Sequence, residues 1–522
     1  MEDLSMRIHY LVTGIIAILV ASTSPTCLRA QRESTRTEQH AGARRTGHYR
    51  LFDLGTLGGP RSSFSFGAAI INDRGEATGF SDTAAATQND TGFACLDPFV
   101  IGAFFWHEGH LDLLPGLSQG CSLPTQINDR SEIIGISQNG VIDPQTGFIE
   151  DRAVVWRDGQ PNDLGTFGGN QSITTAINRR GQIVGWAENS IPDQLSVLGA
   201  TQTRAFLWQD GNLLDLGTLG GPDAFANYIN DRGWVVGGSF LDSNVNSVTG
   251  LPTVVPFLWR NGAMTNLGNL GGTFGEALQI NNRGQILGNS DLPGDLVSHP
   301  TFCENDRLID LNTSSVGGSL LTANWLNEEG EVVGSADFTS VGGPAFGGAL
   351  WRKGVVINID KEDSACGVEA WGKNDRGQAI GSAHCLGESH AWLWSHGHAI
   401  DLNTLVSSNA PLRLVYGIMI NNRGDIAGIG VPPGVSDADA LAFGHAFILT
   451  VVDDGDTAAE DSDSTTAAIY RPVAGSARSQ SFDPPTRETM MKLHELVAAQ
   501  LHPFSIRRRG LHQPARLSSQ PH

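Results

Sequence analysis

The chain has 522 residues, of which 64 are glycine, with 40% hydrophobic and 17% charged residues and a formal net charge of −21. Glycine at about 12%, against a usual ~7%, without a three-residue period excludes collagen, and apolar residues spread along most of the chain exclude wholesale disorder. So acidic a surface repels phosphate backbones, and nucleic acid is not expected as a partner.

Arg7 precedes a short apolar run, Tyr10 to Ala21, followed by a polar stretch ending Leu28-Arg29-Ala30 before Gln31. A charged start, ~7–15 apolar residues and a small residue before the cut make the layout of a secretory signal peptide. Residues 1–30 therefore read as an export signal, and the mature protein is expected to be extracellular or periplasmic. The apolar run is too short for a bilayer, which needs ~20 residues, so no membrane span is expected. Residues 31–48 read as a disordered segment. Beyond the signal lie Cys95, Cys121, Cys303, Cys366 and Cys385. Thiols outside the cytoplasm tend to pair. Local pairs of Cys95 with Cys121 and of Cys366 with Cys385 fit the repeat described next and leave Cys303 odd, although spacing does not fix connectivity.

From Tyr49 to Val451 the chain repeats itself. A segment of the form Ile-Asn-x-Arg-Gly-x-Ile-Val-Gly recurs around Asn72, Asn128, Asn178, Asn230, Asn281, Asn327, Asn374 and Asn421, at intervals of 56, 50, 52, 51, 46, 47 and 47 residues. Each of these Asn has a Gly seven positions later. A second segment is an apolar strand ending in Trp, a polar turn with Gly, and an Asp or Asn seven after the Trp, as in Trp208 and Asp215. It slips twice: Trp106 is followed by Asp112 at six, and Cys303 stands where a Trp is expected. Gly-rich links follow, such as Gly217-Thr218-Leu219-Gly220-Gly221.

Asn opens tight turns and Gly tolerates the left-handed backbone they need, so each unit reads as four short strands. Eight units of about 50 residues predict an all-β, eight-bladed β-propeller of four-stranded blades. An open solenoid is the structural rival, but its coils need only ~20–30 residues per turn. The ends favour a closed ring. The first unit begins at its second strand, Tyr49–Leu54, and the missing Trp-type strand comes after the eighth unit as His445–Leu449. N- and C-terminal strands are thus expected to share a blade, with the phase at which blades are cut left open.

Taken together, Arg204-Ala205-Phe206-Leu207-Trp208, Asp215-Leu216-Gly217-Thr218-Leu219-Gly220-Gly221 and Ile229-Asn230-Asp231-Arg232-Gly233 resemble the HAF-repeat family of extracellular bacterial proteins. His445-Ala446-Phe447 spells that name, and His390-Ala391-Trp392 nearly does. The resemblance implies secretion and a repeat architecture, and brings no assigned activity. Units six and seven depart most, with Leu326-Asn327-Glu328-Glu329-Gly330 lacking the Arg and Ile359-Asp360-Lys361 replacing the Gly-rich link.

Residues present in every unit are expected to serve what every unit needs, namely turns, packing and backbone hydrogen bonding, with Trp208 a core anchor. Function is expected in what differs, above all the insertions Thr83–Val100, Asn139–Arg152, Asn189–Arg204, Leu241–Val255, Asp291–Pro300 and Val431–Gly444. Variable loops on a rigid scaffold are where binding commonly resides. By strand count, these loops and the Gly-rich links should share one face. No Gly-x-Ser-x-Gly elbow, His-Glu-x-x-His pair or phosphate loop occurs. His384, His390, His396 and His398 crowd one unit but read as surface residues, and Asp453-Asp454-Gly455-Asp456 reads as a solvated linker. Catalytic, cofactor and metal residues are accordingly set at none. Residues 452–522 read as mostly disordered, with one helix predicted over 484–501.

The expectation is a monomeric, secreted, non-enzymatic scaffold that binds a protein or glycan. The alternative is an extracellular glycan-active hydrolase or lyase, or another enzyme using the propeller channel. Against a quinone-dependent version, no adjacent Cys pair is present. A carboxylate pair of raised pKa in the channel would favour the enzyme; a channel lined by Gly and Ala would favour the binder.

Overall fold

Each hairpin begins at a turn that its own sequence dictates. Asn230 Oδ1 accepts the backbone N–H of Arg232 and of Trp234, both at 3.0 Å. Gly233, at φ +79°, then reverses the chain. This is an Asx turn in which the side chain imitates a backbone turn. The turn after each Trp works differently. Asp210 and Gly211 both have positive φ, 51° and 84°, the pair a two-residue type I′ hairpin requires.

The computed structural model describes residues 48–452, except 88–97, 194, 197–200, 249, 314, 360–366 and 386–387. The export signal, the segment that follows it, the C-terminal tail with its predicted helix, Cys95 and Cys366 lie outside the described residues. Within them the chain forms eight four-stranded antiparallel sheets, arranged as an eight-bladed β-propeller. Blades 1 to 7 run Gly58–Leu113, Ser122–Asp163, Gly168–Asp215, Ala224–Asn266, Gly275–Asp310, Ser319–Asn358 and Gly367–Asp401. Blade 8 takes three strands from Arg413–Val452 and its outermost strand, His48–Asp53, from the other end of the chain. Tyr49 pairs with Val451, Phe52 with Ile448 and Asp53 with Phe447, so the ring closes by pairing of the terminal strands.

The phase left open in the sequence is settled here. A blade starts at the strand ending in the repeated Asn. In blade 4, Ile229 pairs with Val235, Val235 with Trp259, and Arg260 with Ala263. The Trp strand and its Asp partner therefore close a blade, and the Gly-rich link crosses to the next. Since strands alternate in direction, Asn turns and Trp turns share one face, and the Gly-rich links and long insertions share the other. These are the Asn face and the loop face. Blades 6 and 7, whose sequences depart most, also keep four strands each.

The glycine seven after each Asn has a steric cause. Inner strands of blades 2 to 8 carry a register shift two to four residues before the Asn, as between Ala226 and Tyr228. This bulge brings inner-strand carbonyls close to the second strand. A Cβ at Gly237 would collide with the carbonyl oxygen of Phe225, and one at Gly185 with that of Ile173.

The Asp after each Trp also has a job. Asp215 Oδ1 accepts the N–H of Gly217 at 2.8 Å, shaping the Gly-rich link, and the same carboxylate pairs with Arg204 at 3.0 Å. Asp53 serves Gly55 and His445 in the same way, at 2.8 and 2.9 Å, which gives the first residue of His445-Ala446-Phe447 its partner. The slip in blade 1 is a substitution rather than a shift. Phe104 pairs with Leu113 as Val154 pairs with Asp163, so Leu113 stands where the Asp should. The Arg or His opposite is correspondingly lost to Gly102, where a Cβ would lie 3.0 Å from Leu113.

Apolar cores lie in the seams between blades. Ile134 and Val155 of blade 2 pack with Ile183, Phe206 and Trp208 of blade 3. Trp156 and Trp208 are buried as expected, whereas Trp259 and Trp394 are only partly so. Cys121 and Cys385 are disulfide-bonded and Cys303 is a buried free thiol. Among the described residues no helix is long and apolar enough to cross a membrane. Gly237→Ala is expected to destabilise the ring by about 1–3 kcal/mol, the usual range for overpacking. Gly367→Ala, where the nearest atom to a Cβ is 3.9 Å away, should leave the melting temperature nearly unchanged in calorimetry.

Candidate functional site

On the Asn face the eight repeated asparagines form a closed circuit. Each side-chain Nδ2 donates to the backbone carbonyl of the Asn in the next blade, from Asn72 to Asn128 at 3.0 Å and from Asn230 to Asn281 at 2.9 Å. The same bond joins each pair around the ring. Asn421 returns it to Asn72 at 2.8 Å. All eight are buried. The repeated Asn is thus structural twice over, capping its own turn and tying its blade to the next.

The residue after each Asn forms a second ring at the channel mouth: Asp73, Asp129, Arg179, Asp231, Asn282, Glu328, Asp375 and Asn422. In seven of the eight steps the backbone N–H of one donates to the side chain of the next, as Asp73 to Asp129 at 3.0 Å and Asn422 to Asp73 at 2.9 Å. The step onto Arg179 fails because a guanidinium has no acceptor. Arg179 instead reaches over the mouth to Asp129 at 2.8 Å, Asp73 at 3.6 Å and Asp231 at 3.9 Å. Burial pulls its pKa down, but Asp129, Asp231 and Asp73 outweigh this and hold it above the ordinary value. Burial, with Asp375 and Asp231 nearby, raises that of Glu328. The mouth encloses about 200 Å³ and is ringed by the chain's own charges. The sequence carries a signal for this ring, an acid or amide after seven of the eight Asn.

Further along the inner strands lie the carboxyls that bear on the enzyme reading. Glu276 is buried and its Oε2 accepts from Asn227 of blade 4 at 3.2 Å. Burial, with the Asp291 carboxylate adding, pushes its pKa up to about 7. Glu369 occupies the same place in blade 7, accepts from Asn324 and Thr322 of blade 6, and is likewise raised by burial. Both acids therefore bridge seams between blades.

The loop face is different in character. Large apolar side chains stand exposed on the loops of five successive blades: Ile142, Ile191, Val248, Leu296 and Val341, with Leu296 86% exposed. The insertions and the Gly-rich links do share this face, as strand count predicted. Of the four crowded histidines, His384 bonds Ser389 at 3.1 Å and His396 bonds Ser395 at 2.9 Å. Asp453-Asp454-Gly455-Asp456 lies outside the described residues.

No family model matches the chain, and no curated protein matches it. Solved structures similar to it include the β-propeller domain of the trilobed protease from Pyrococcus furiosus, at 10% identity and TM-score 0.40, covering 69% of this chain and 98% of that one. A puromycin-hydrolyzing peptidase from Mycobacterium tuberculosis has 12% identity and TM-score 0.41, and covers 75% of this chain. The chain spans 62% of that peptidase. An ulvan lyase has 11% identity and TM-score 0.35, covering 78% of this chain and 95% of that one. These likenesses carry no argument about chemistry.

Two outcomes follow from the site. Asn230→Ala strips the Asn281 carbonyl and two turn N–H groups of their partners, at about 1–3 kcal/mol for each group left unsatisfied. Its melting temperature should fall far more than that of the exposed-site control Asn212→Ala. Glu276 keeps its proton in the native state up to about 7, whereas the unfolded chain releases it near 4.5. The native state thus binds the extra proton, and stability falls as pH rises through that window. Glu276→Gln should gain melting temperature relative to wild type at pH 8 and lose that advantage at pH 5.

Proposed function

We propose that this chain is a secreted HAF-repeat protein, extracellular or periplasmic, acting as a monomeric, non-enzymatic scaffold that binds a protein or glycan through its loop face. The carrying observation is that the loops of blades 2 to 6 each expose an aliphatic side chain, opposite a face whose repeated Asn side chains are taken up in bonds to one another. Exposed apolar surface rimmed by polar residues is a common setting for interaction sites. Disulfides at Cys121 and Cys385 support export, since such bonds persist in oxidising compartments.

A second reading, an extracellular glycan-active hydrolase or lyase working in the channel, is favoured by the raised pKa values of Glu276 and Glu369. Against it, both carboxyls already hydrogen-bond across blade seams. A screen of envelope proteins and glycans, run beside a hydrolysis panel, separates the two. Binding without turnover, weakened at least ~10-fold by Leu296→Asp combined with Ile142→Asp at an unchanged melting temperature, is the expected result. Turnover abolished by Glu369→Gln would reverse the order of the two readings.

A further inference from the structure

An innermost strand meets solvent only along the central channel, so a half-exposed side chain there faces the channel or its mouths. Over blades 2 and 3 the bulged position is small, Thr125 and Thr175. In blade 7 that position is Trp371, half-exposed, with its indole N–H donating to Ser382 at 3.0 Å. A bulge re-aims the side chain it carries. Phe66 of blade 1 meets Trp371 edge-on at 5.0 Å and Tyr416 of blade 8 at 6.0 Å. Blade 8 separates blades 1 and 7, so a contact between Phe66 and Trp371 runs on the channel side of blade 8. All three rings therefore form one aromatic wall.

Polar groups adjoin it. Glu369, two residues before Trp371 and near the loop-face end of its strand Gly367–Lys373, receives both its hydrogen bonds through Oε1, from Asn324 at 3.0 Å and Thr322 at 3.2 Å. Its Oε2 and the Tyr416 hydroxyl have no hydrogen-bond partner among the described residues, and the two groups are near enough for Glu369 to raise the phenol's pKa, after burial. One wall of the channel thus offers aromatic surface beside a carboxyl and a phenol, at positions where the repeat is not kept.

We propose that this wall is a saccharide subsite. One neutral sugar unit of an oligosaccharide entering from the loop face lays its C–H face against Trp371 and Phe66 and bonds its hydroxyls to Glu369 Oε2 and the Tyr416 hydroxyl. A pyranose has an apolar face and a hydroxylated rim, which matches an aromatic surface flanked by a few oriented polar groups. An anionic sugar is disfavoured by the acidity of the chain. Burial raises the pKa of Glu369, which disfavours its charged form and so weakens any hold on a cation. The proposal rests on the glycan half of the binding reading and moves the contact from the rim into the channel.

Titration calorimetry on the full secreted chain with cellohexaose, chitohexaose and mannohexaose tests it. At least one should bind. Tyr416→Phe, which removes a single oxygen, should weaken it about tenfold, and Glu369→Gln and Trp371→Leu at least as much, while the control Leu214→Asp, exposed on the outermost strand of blade 3, leaves it unchanged. Absence of binding by all three sugars, or binding that Tyr416→Phe and Glu369→Gln both leave intact, overturns the proposal. Sugar binding lost in Leu296→Asp but kept in Tyr416→Phe also overturns it while upholding the loop-face reading, so the two fail separately.

Discussion

A single primary amide, repeated eight times, holds this ring at its narrowest point. The Asn side chain has one acceptor and two donor hydrogens, and the turn geometry uses both kinds. Oxygen caps the turn that starts the second strand, as at Asn72, where it accepts the N–H of Arg74 and Glu76. Nitrogen reaches the main chain of the next blade. Asp lacks the donor, and Ala lacks both. Each such bond contributes only about 1 kcal/mol net, but the circuit returns to its start, so removing one member leaves unpaired groups in two blades.

The ring of side chains just outside it shows how a repeat accommodates an exception. Seven positions pass a hydrogen bond on; Arg179 cannot, and answers with charge, bridging Asp129, Asp73 and Asp231. Five carboxylates converge on that mouth, and a guanidinium among them lowers their mutual repulsion. The consequence is a division between faces. The Asn face spends its repeated polar groups on itself, and the opposite face carries the insertions, which vary freely because they carry none of the circuit.

Departures from the repeat explain themselves once partners are visible. Leu113 replaces a capping Asp, and Gly102 opposite makes room for it. Trp371 takes the bulge position that holds Thr in blades 2 and 3 and meets Phe66 from two blades away. The first change is compensated within its own blade, eleven positions away, and the second by a residue about 300 positions away, which no comparison of one unit with the next could supply.

The repeat alone determined the strands, their number, the blade count and the closure of the ring by Tyr49–Leu54 and His445–Leu449, because turn chemistry and alternation are local properties of a chain. It also placed the long loops on one face, since antiparallel strands leave no other option. What the repeated residues bond to was not legible. Asn to next Asn, Asp73 to Asn422 and Arg179 to three acids are contacts between blades, set by the radius of the closed ring. Phase, the two polar circuits and the aromatic wall of the channel were decided only when eight sheets met around one axis, where residues about 50 or more positions apart become neighbours.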